Sequence, residues 1–181
     1  MRRIIFFGMM AALPLSCLPF LVGVHTPKMV TTDNLVHWAD KHKWPSKHMG
    51  YLDSLSWYST FYPLPRLPSV MVFNEEGLLM YRRSHSDCDK SFLTFIQSGN
   101  LYRRLPIDSM PWATRTQGWK SLDGTPIPIP NGRPCVVSLW TCYTPGLHHW
   151  VDSVESRLNN RREEKWQHWI ISADWVGWRP D

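Results

Sequence analysis

The alternation of apolar runs and turn-forming residues predicts that this chain folds as a mixed α/β protein. Residues 67–82 give the clearest pattern, with two apolar segments on either side of the sequence Asn-Glu-Glu-Gly. Within the first segment, residues 69–73 are Ser-Val-Met-Val-Phe, which suits a strand covered on both faces. Gly77 ends the intervening turn and supplies a backbone conformation with positive φ. The pattern therefore predicts a β-hairpin over residues 67–82.

Two further apolar runs predict buried strands in the second half of the chain. Residues 135–140 read Cys-Val-Val-Ser-Leu-Trp, and residues 169–174 read Trp-Ile-Ile-Ser-Ala-Asp. Short apolar runs of this kind indicate strands with both faces covered. Residues 121–134 carry prolines at alternate positions, which restricts that stretch to an edge strand or a polyproline segment. Residues 99–118 show no clear periodicity and are predicted to be a linker.

Apolar residues recur every three or four positions in three other stretches, which predicts helices that each bury one face. The three helices are predicted to begin near Thr32, at the capping box Ser86-x-x-Asp89, and near Pro145. Pro45 ends the first helix and Gly99 ends the second. A shorter helix is predicted within residues 51–62.

Residues 1–24 form a basic head followed by a long uncharged apolar run. This arrangement is typical of a signal peptide or of an N-terminal membrane anchor about 20 residues long. The two arginines of the head favour an N-terminus that stays in the cytoplasm. We therefore expect the rest of the chain to be periplasmic or otherwise extracytoplasmic, either secreted or anchored in the inner membrane.

Composition narrows the classes of partner and cofactor. The net charge of +5 is small and the basic residues are scattered, so nothing indicates a nucleic-acid groove. The 11 tryptophans favour exposed aromatic surface in addition to a core, which is typical of protein interfaces. His148 and His149 are adjacent, and His37 and His42 are five residues apart, so neither pair has metal-ligand spacing. We expect no metal and no other cofactor.

The predicted hairpin resembles the cis-proline hairpin of thioredoxin-like proteins. The residues that carry the resemblance are Leu67-Pro68-Ser69, the buried strand, the acidic turn with glycine and the second strand. In that family the corresponding proline lies beside the redox site and contacts bound partners, which implies the same position for Pro68. Together with the flanking helices, residues 32–98 resemble the second half of a thioredoxin-like domain.

The sequence SLDGTPIPIPNGRPCVVSLW at residues 121–140 resembles the opening of membrane-tethered thioredoxin-like redoxins. With the long helix and the strand that follow, residues 119–181 resemble the first half of the same fold. The two halves thus occur in reverse order along the chain. The resemblance implies an α/β three-layer sandwich with a central mixed sheet, circularly permuted. In that arrangement residues 135–140 lie beside residues 70–73, and helices cover both faces of the sheet.

Neither half can close a core alone, because each leaves a sheet edge and an apolar helix face uncovered. A circular permutation solves this within one chain. Reciprocal swapping between two chains, which would give a homodimer, is the alternative.

The loop after residues 135–140 lacks the Cys-x-x-Cys motif of thioredoxin-like enzymes. Alignment on Trp140 puts Thr144 and Leu147 where the two cysteines would be, and neither side chain forms a thiolate. We therefore expect a binding or assembly module in an envelope complex, without redox activity at the usual site.

The expected partner is a protein that binds a groove between two loops. The groove residues are predicted to be Leu67, Pro68, Tyr143, Thr144, Pro145 and Gly146. The alternative function is an unconventional thiol–disulfide oxidoreductase. It would use Cys88 and Cys142, because the loops that hold them are neighbours in the thioredoxin fold.

Overall fold

A six-stranded mixed β-sheet organises the part of the chain that the computed structural model describes. The described residues are 30–53, 69–83, 89–99, 101–130, 132–142, 147–159 and 166–174. The helices are α1 (Thr32–His42), α2 (Asp89–Gln97), α3 (Trp112–Arg115) and α4 (Leu147–Asn159), with a 3-10 turn at Ser46–His48. The strands are β1 (Met49–Leu52), β2 (Ser69–Phe73), β3 (Leu79–Arg82), β4 (Trp119–Ser121), β5 (Cys135–Trp140) and β6 (Gln167–Ser172).

The strands lie in the order β3-β2-β5-β6-β1-β4. The central strands β5 and β6 are parallel, and β1 is parallel to β6. The remaining pairs are antiparallel, including β2 with β5. Ser69 pairs with Leu139 and Phe73 pairs with Cys135, so the two strands are matched along the whole of β2. The predictions of a mixed α/β fold and of these two strands as neighbours are confirmed.

One face of the sheet is covered by the three longer helices. Helices α2 and α4 pack over Val70, Val72 and Val136, while α1 and α4 pack over Met49 and Ile170. The sequence predicted helices on both faces. Among the described residues, the helix on the opposite face is the four-residue α3, which covers that face together with β4 and the chain after β4, through Trp112, Trp119 and Ile127.

Two stretches differ from the sequence expectations in an informative way. Tyr51 and Leu52 belong to strand β1, so the helix predicted for residues 51–62 is wrong at its start, and the rest of it lies outside the described residues from residue 54 onward. In the segment predicted as a linker, Leu101 and Trp112 are buried in the two cores on either side of the sheet. None of the helices in the described ranges combines the length and apolar character needed to span a bilayer.

Helix α1 has well-formed ends that fix where it starts and stops. Thr31 is the N-cap, and its side chain accepts a hydrogen bond from the backbone N–H of Asn34. In return, the Thr31 N–H donates a hydrogen bond to the Asn34 side chain. At the other end Lys43 adopts a left-handed conformation, and its N–H bonds back to the last turn. Leu35 and Ala39 are fully buried on the inner face of the helix.

The hairpin between β2 and β3 closes around Asn74 and Gly77, as the sequence predicted. The Asn74 side chain accepts a hydrogen bond from the Leu78 N–H at 2.8 Å, and the Gly77 N–H donates to the Asn74 carbonyl at 3.0 Å. Gly77 has a φ of +78°. A Cβ added at this position would lie 2.9 Å from Cβ of the buried Trp112. The turn therefore needs glycine both for its conformation and for the close approach of α3.

We expect Gly77→Ala to destabilise the protein more than Gly99→Ala. Both glycines have positive φ, which costs a residue with a Cβ about 1–2 kcal/mol. Only Gly77 also meets a neighbour, because nothing lies within 4 Å of a Cβ added at Gly99. Overpacking against Trp112 should add about 1–3 kcal/mol. Urea unfolding of both variants measures the difference, and equal losses of stability would refute the contact between the turn and α3.

Candidate functional site

The edge of the sheet where β5 and β6 end is the candidate functional site. In α/β sheets, ligands bind outside the carboxyl ends of parallel strands. Trp140 and Ser172 are paired at these ends, and Ser69 begins β2 at the same edge. We call the described residues here the carboxyl edge: Ser69, Thr141, Cys142 and Asp174.

The carboxyl edge holds the described neighbours of the predicted partner groove. Ser69 directly follows Pro68 along the chain, and Cys142 directly precedes Tyr143. The strand pairing brings these two chain segments to one edge of the sheet, as the sequence predicted. Seven of the predicted site residues lie outside the described residues: Leu67, Pro68, Cys88, Tyr143, Thr144, Pro145 and Gly146.

Asp174 fixes the chain at the end of β5. Its carboxylate accepts hydrogen bonds from the Cys142 N–H at 2.9 Å and from the Ser172 hydroxyl at 2.6 Å. The Asp174 N–H donates to the same hydroxyl at 3.1 Å, and the Ala173 N–H donates to the Trp140 carbonyl at 2.7 Å. Asp174 is buried, and burial raises the pKa of its carboxyl group. The carboxyl group thus connects the ends of the two parallel strands through hydrogen bonds.

Cys142 is a half-buried free thiol in an environment that opposes ionisation. Burial raises the pKa of Cys142 to about 12, and the Asp174 carboxylate contributes in the same direction. Redox-active cysteines have the opposite environment, because positive charge or a helix N-terminus lowers their pKa. Cys135, the other described cysteine, is also a free thiol and is fully buried at the start of β5. Neither described cysteine is therefore set up as a nucleophile.

A cluster of aromatic and imidazole rings packs α1 against α4 and β5. The ring of His42 lies between those of Trp38 and Trp44, with centroid distances of 5.0 Å and 4.9 Å. Trp140 meets both indoles edge to face, and the ring of His148 lies 4.6 Å from that of His42. We call these five residues the indole–imidazole cluster. Stacked and edge-to-face rings are favourable contacts that add to the energy of burial.

Asp152 connects the indole–imidazole cluster to helix α4. Its carboxylate accepts a hydrogen bond from Nε1 of Trp44 at 2.7 Å and lies 3.6 Å from Nδ1 of His42. Burial lowers the pKa of His148, and the neighbouring His149 and His42 lower it further. His148 is therefore neutral at neutral pH, which lets the rings pack without repulsion. The cluster holds α1 beside the first turns of α4.

The sequence could not show which histidines meet. The rings of His148 and His149, which are adjacent in the sequence, lie 4.0 Å apart, but the sequence does not show that His42 lies beside His148, more than one hundred residues away. Across the described ranges, no three His, Cys, Asp or Glu side chains are arranged to hold one metal ion.

A Ser-His-Glu relay lies beneath α4 and was not found from the sequence. The Ser138 hydroxyl lies 2.8 Å from Nε2 of His168, and Nδ1 of His168 bonds to the Glu155 carboxylate. These residue types form the relay of serine hydrolases. Here, however, Ser138 has no exposed surface and His168 is buried, so no substrate can reach the hydroxyl. The relay instead satisfies polar groups inside the core.

Glu155 supplies the charge in this relay. Burial of its carboxyl group opposes ionisation, but the hydrogen bonds from His168 and Asn159 and the electrostatic interactions with His168 and His48 together outweigh that effect. The pKa of Glu155 therefore lies below its ordinary value. The ionised form stabilises the fold above the ordinary pKa of a glutamate, and this contribution is lost as the pH falls through the folded-state pKa.

The opposite end of the sheet carries an open cleft of about 300 Å³. It is lined by His48, Arg133, Trp166 and Gln167, at the starts of β1, β5 and β6. Burial lowers the pKa of His48, and the adjacent Lys47 adds to this effect. None of these lining residues carries a carboxylate or a thiol.

The fold and the site together define a mixed α/β domain with a rigid carboxyl edge and without an activated nucleophile among its described residues. Comparison of the chain with protein-family models, with curated proteins and with solved structures gave no match.

We expect Glu155→Gln to lower the free energy of unfolding near neutral pH by about 1–2 kcal/mol, because a charge-assisted hydrogen bond becomes a neutral one. The variant should also lose less stability than the wild type between about pH 5 and about pH 3, since it lacks the titrating carboxyl group. Urea unfolding across this pH range measures both effects.

Asp108→Asn is the matched control, because Asp108 also forms an ion pair but is exposed. Exposed pairs contribute little, so its stability should stay within about 0.5 kcal/mol of the wild type. If the free energy of unfolding of Glu155→Gln changed with pH in the same way as that of the wild type, the relay would not carry charge.

We expect Cys142 to react slowly with iodoacetamide at neutral pH. A pKa of about 12, compared with an ordinary value of 9.0, leaves about a thousandfold less thiolate. Peptide mass spectrometry resolves Cys142 from the other cysteines, and the unfolded chain provides the reference rate. Asp174→Asn should speed the reaction, because it removes the adjacent charge. Labelling of the folded wild type at the unfolded rate would contradict this environment.

Proposed function

We propose that the chain is a circularly permuted thioredoxin-like protein that serves as a binding or assembly module in a cell-envelope complex. Residues 32–98 and 119–181 are its two halves, and residues 99–118 connect them. The protein is redox-inactive at the usual site and binds a protein partner at the carboxyl edge.

The sheet order supports the fold assignment. The β2–β3 hairpin, from residues 32–98, lies directly beside the β5–β6 pair, from residues 119–181. Both stretches also contribute to each core; Phe92 and Val154, for example, belong to the same cluster. Because one chain completes the sheet, swapping between two copies is not needed to cover the β2 and β5 edges.

The environment of Cys142 is the observation that carries the functional proposal. A thiol that exchanges disulfides needs an accessible thiolate fraction at ambient pH. Burial and Asp174 raise the pKa of Cys142 instead. Thr144 and Leu147 occupy the positions of the two family cysteines in the alignment, so the usual site has no thiol either. These facts favour binding over thiol–disulfide exchange.

The carboxyl edge suits binding because its described backbone is already fixed. The hydrogen bond to Asp174 holds the backbone of Cys142, and the indole–imidazole cluster holds α1 beside α4. A preorganised surface loses little conformational entropy when a partner docks. The partner groove comprises the two loops that continue from this edge, with the residues Leu67, Pro68, Tyr143, Thr144, Pro145 and Gly146.

Residues 1–24 place this module outside the cytoplasm. Their basic head and apolar run are the signal for export or for anchoring in the inner membrane. The module then meets its partner in the periplasm or an equivalent extracytoplasmic space.

We expect the double variant Cys88→Ser and Cys142→Ser to recover its partner as well as the wild type does in a pull-down from envelope membranes. In a binding module these thiols contribute only packing, and serine has nearly the same shape. In contrast, Pro68→Ala or Gly146→Trp should reduce recovery by about tenfold or more, which is the usual effect of disrupting a central contact.

Circular dichroism of each variant establishes that the fold is retained. If the double serine variant kept its fold but lost its biological activity, the alternative function would be favoured. The protein would then be an unconventional thiol–disulfide oxidoreductase that uses Cys88 and Cys142, and an insulin-reduction assay would detect it directly.

A further inference from the structure

The segment after α2 exposes a concentration of large apolar side chains. Leu105 is 89% exposed, and Ile107 and Tyr102 are 56% and 62% exposed. Met110 and Ile129 are also exposed. Of the large hydrophobic residues exposed in the described ranges, only Val36 lies outside this segment and the nearby proline stretch. We call residues 102–110 the apolar loop.

The structure holds the apolar loop in place from both ends and from its middle. Leu101 and Trp112 are buried on either side of it. The Ile107 N–H donates to the Leu79 carbonyl at 2.7 Å, which ties the middle of the loop to the start of β3. Asp108 accepts from the Met110 N–H at 3.0 Å and from Arg115 at 2.5 Å. The apolar side chains are therefore presented outward by a fixed backbone.

Basic residues flank the most exposed apolar side chain. Arg103 and Arg104 immediately precede Leu105, and both are exposed. The Arg104 guanidinium lies 6.0 Å from the ring of Phe95, which positions it beside the loop. Several acidic residues lie nearby. Asp108 is paired with Arg115, Glu75 lies 3.4 Å from the Tyr102 hydroxyl, and Glu76 is exposed in the β2–β3 turn.

We propose that the apolar loop docks on the surface of a lipid bilayer that contains anionic lipids. Aliphatic side chains that project from a loop, with arginines beside them, match a bilayer surface, where an apolar interior lies below charged headgroups. The aliphatic groups enter the acyl boundary, and the guanidinium groups meet the phosphates. Tyrosine is also favoured at that level. The two exposed arginines beside Leu105 favour an anionic lipid surface over an apolar pocket of a protein partner.

The apolar loop lies at the opposite end of the sheet from the carboxyl edge. Leu79, to which the loop is bonded, pairs with Phe73 at the end of β2, whereas Ser69 begins that strand. Docking on lipid at one end would leave the other end open to a protein partner. This inference does not depend on the partner groove, because the two surfaces share no residue.

Hydrogen–deuterium exchange of the full chain with vesicles tests the proposal. The measured quantity is the exchange rate of residues 102–110 on vesicles of phosphatidylcholine alone and on vesicles that also contain phosphatidylglycerol. We expect slower exchange on the anionic vesicles, and loss of this protection at high salt. Neutralising each arginine, with Arg103→Gln or Arg104→Gln, should reduce the protection by about fivefold.

Leu105→Ser combined with Ile107→Ser should abolish the protection, whereas Val36→Ser, an exposed apolar residue on α1, should not change it. The local readout separates docking of the loop from insertion of residues 1–24. The same exchange on both kinds of vesicle, or no protection on either, would overturn the proposal. Protection that grows with protein concentration without lipid would assign the loop to a contact with a second copy and would also overturn it.

Discussion

The antiparallel ladder between β2 and β5 is the interaction on which the rest of the structure depends. Each strand brings a neighbour of its own, since the hairpin turn supplies β3 and helix α4 leads to β6. Without the ladder, both pairs would expose unsatisfied backbone groups along an open edge. The ladder joins residues far apart in sequence, so its formation must offset the entropy of closing a long loop. Val70, Val72, Val136 and Val137 contribute the burial that does so.

Burying the central strands on both faces has a second consequence for Ser138 and His168, because a buried hydroxyl or imidazole is costly unless it has a hydrogen-bond partner. Ser138 lies in the middle of β5 and is satisfied by His168 on β6, which Glu155 on α4 satisfies in turn. The relay thus resembles catalytic machinery in its chemistry but serves the core. An unsatisfied buried hydroxyl or imidazole would cost about 1–3 kcal/mol, so all three members stabilise the fold together.

Much of the fold could be predicted from the sequence, because its strongest patterns are local. The hairpin around Gly77 and the strand at Cys135–Trp140 follow from residue spacing and turn chemistry. Strand β1 could not be predicted, since it is only four residues long and is defined by pairing with β6 and β4. Periodicity also shows that a helix is amphipathic without showing which face of a sheet it covers. This explains why α1, α2 and α4 share one face despite the expectation of two.

At the candidate site, the pairing of the two strands that lead to it could be predicted, but the chemistry of the described residues could not. Strand pairing brought Ser69 and Cys142 to one edge, as the order of elements implied. The partners that set its chemistry, such as His148 with His42, come together only through tertiary packing. The effect of Asp174 on Cys142 could not be predicted, because it depends on the end-to-end alignment of β5 and β6.

The role of Asp174 explains why this edge is better suited to holding a loop than to exchanging disulfides. A redox loop needs backbone N–H groups or positive charge that stabilise a thiolate. At this edge the Cys142 N–H donates instead to a buried carboxylate, and the same carboxylate repels negative charge on the neighbouring sulfur. Burial is the largest cause of the raised pKa of Cys142, and Asp174 adds to it while also fixing the backbone. Any change that restored reactivity to Cys142 by removing this carboxylate would also remove the hydrogen bond that positions the loop. Rigidity and thiol chemistry therefore oppose each other at this position, and the residues present favour rigidity.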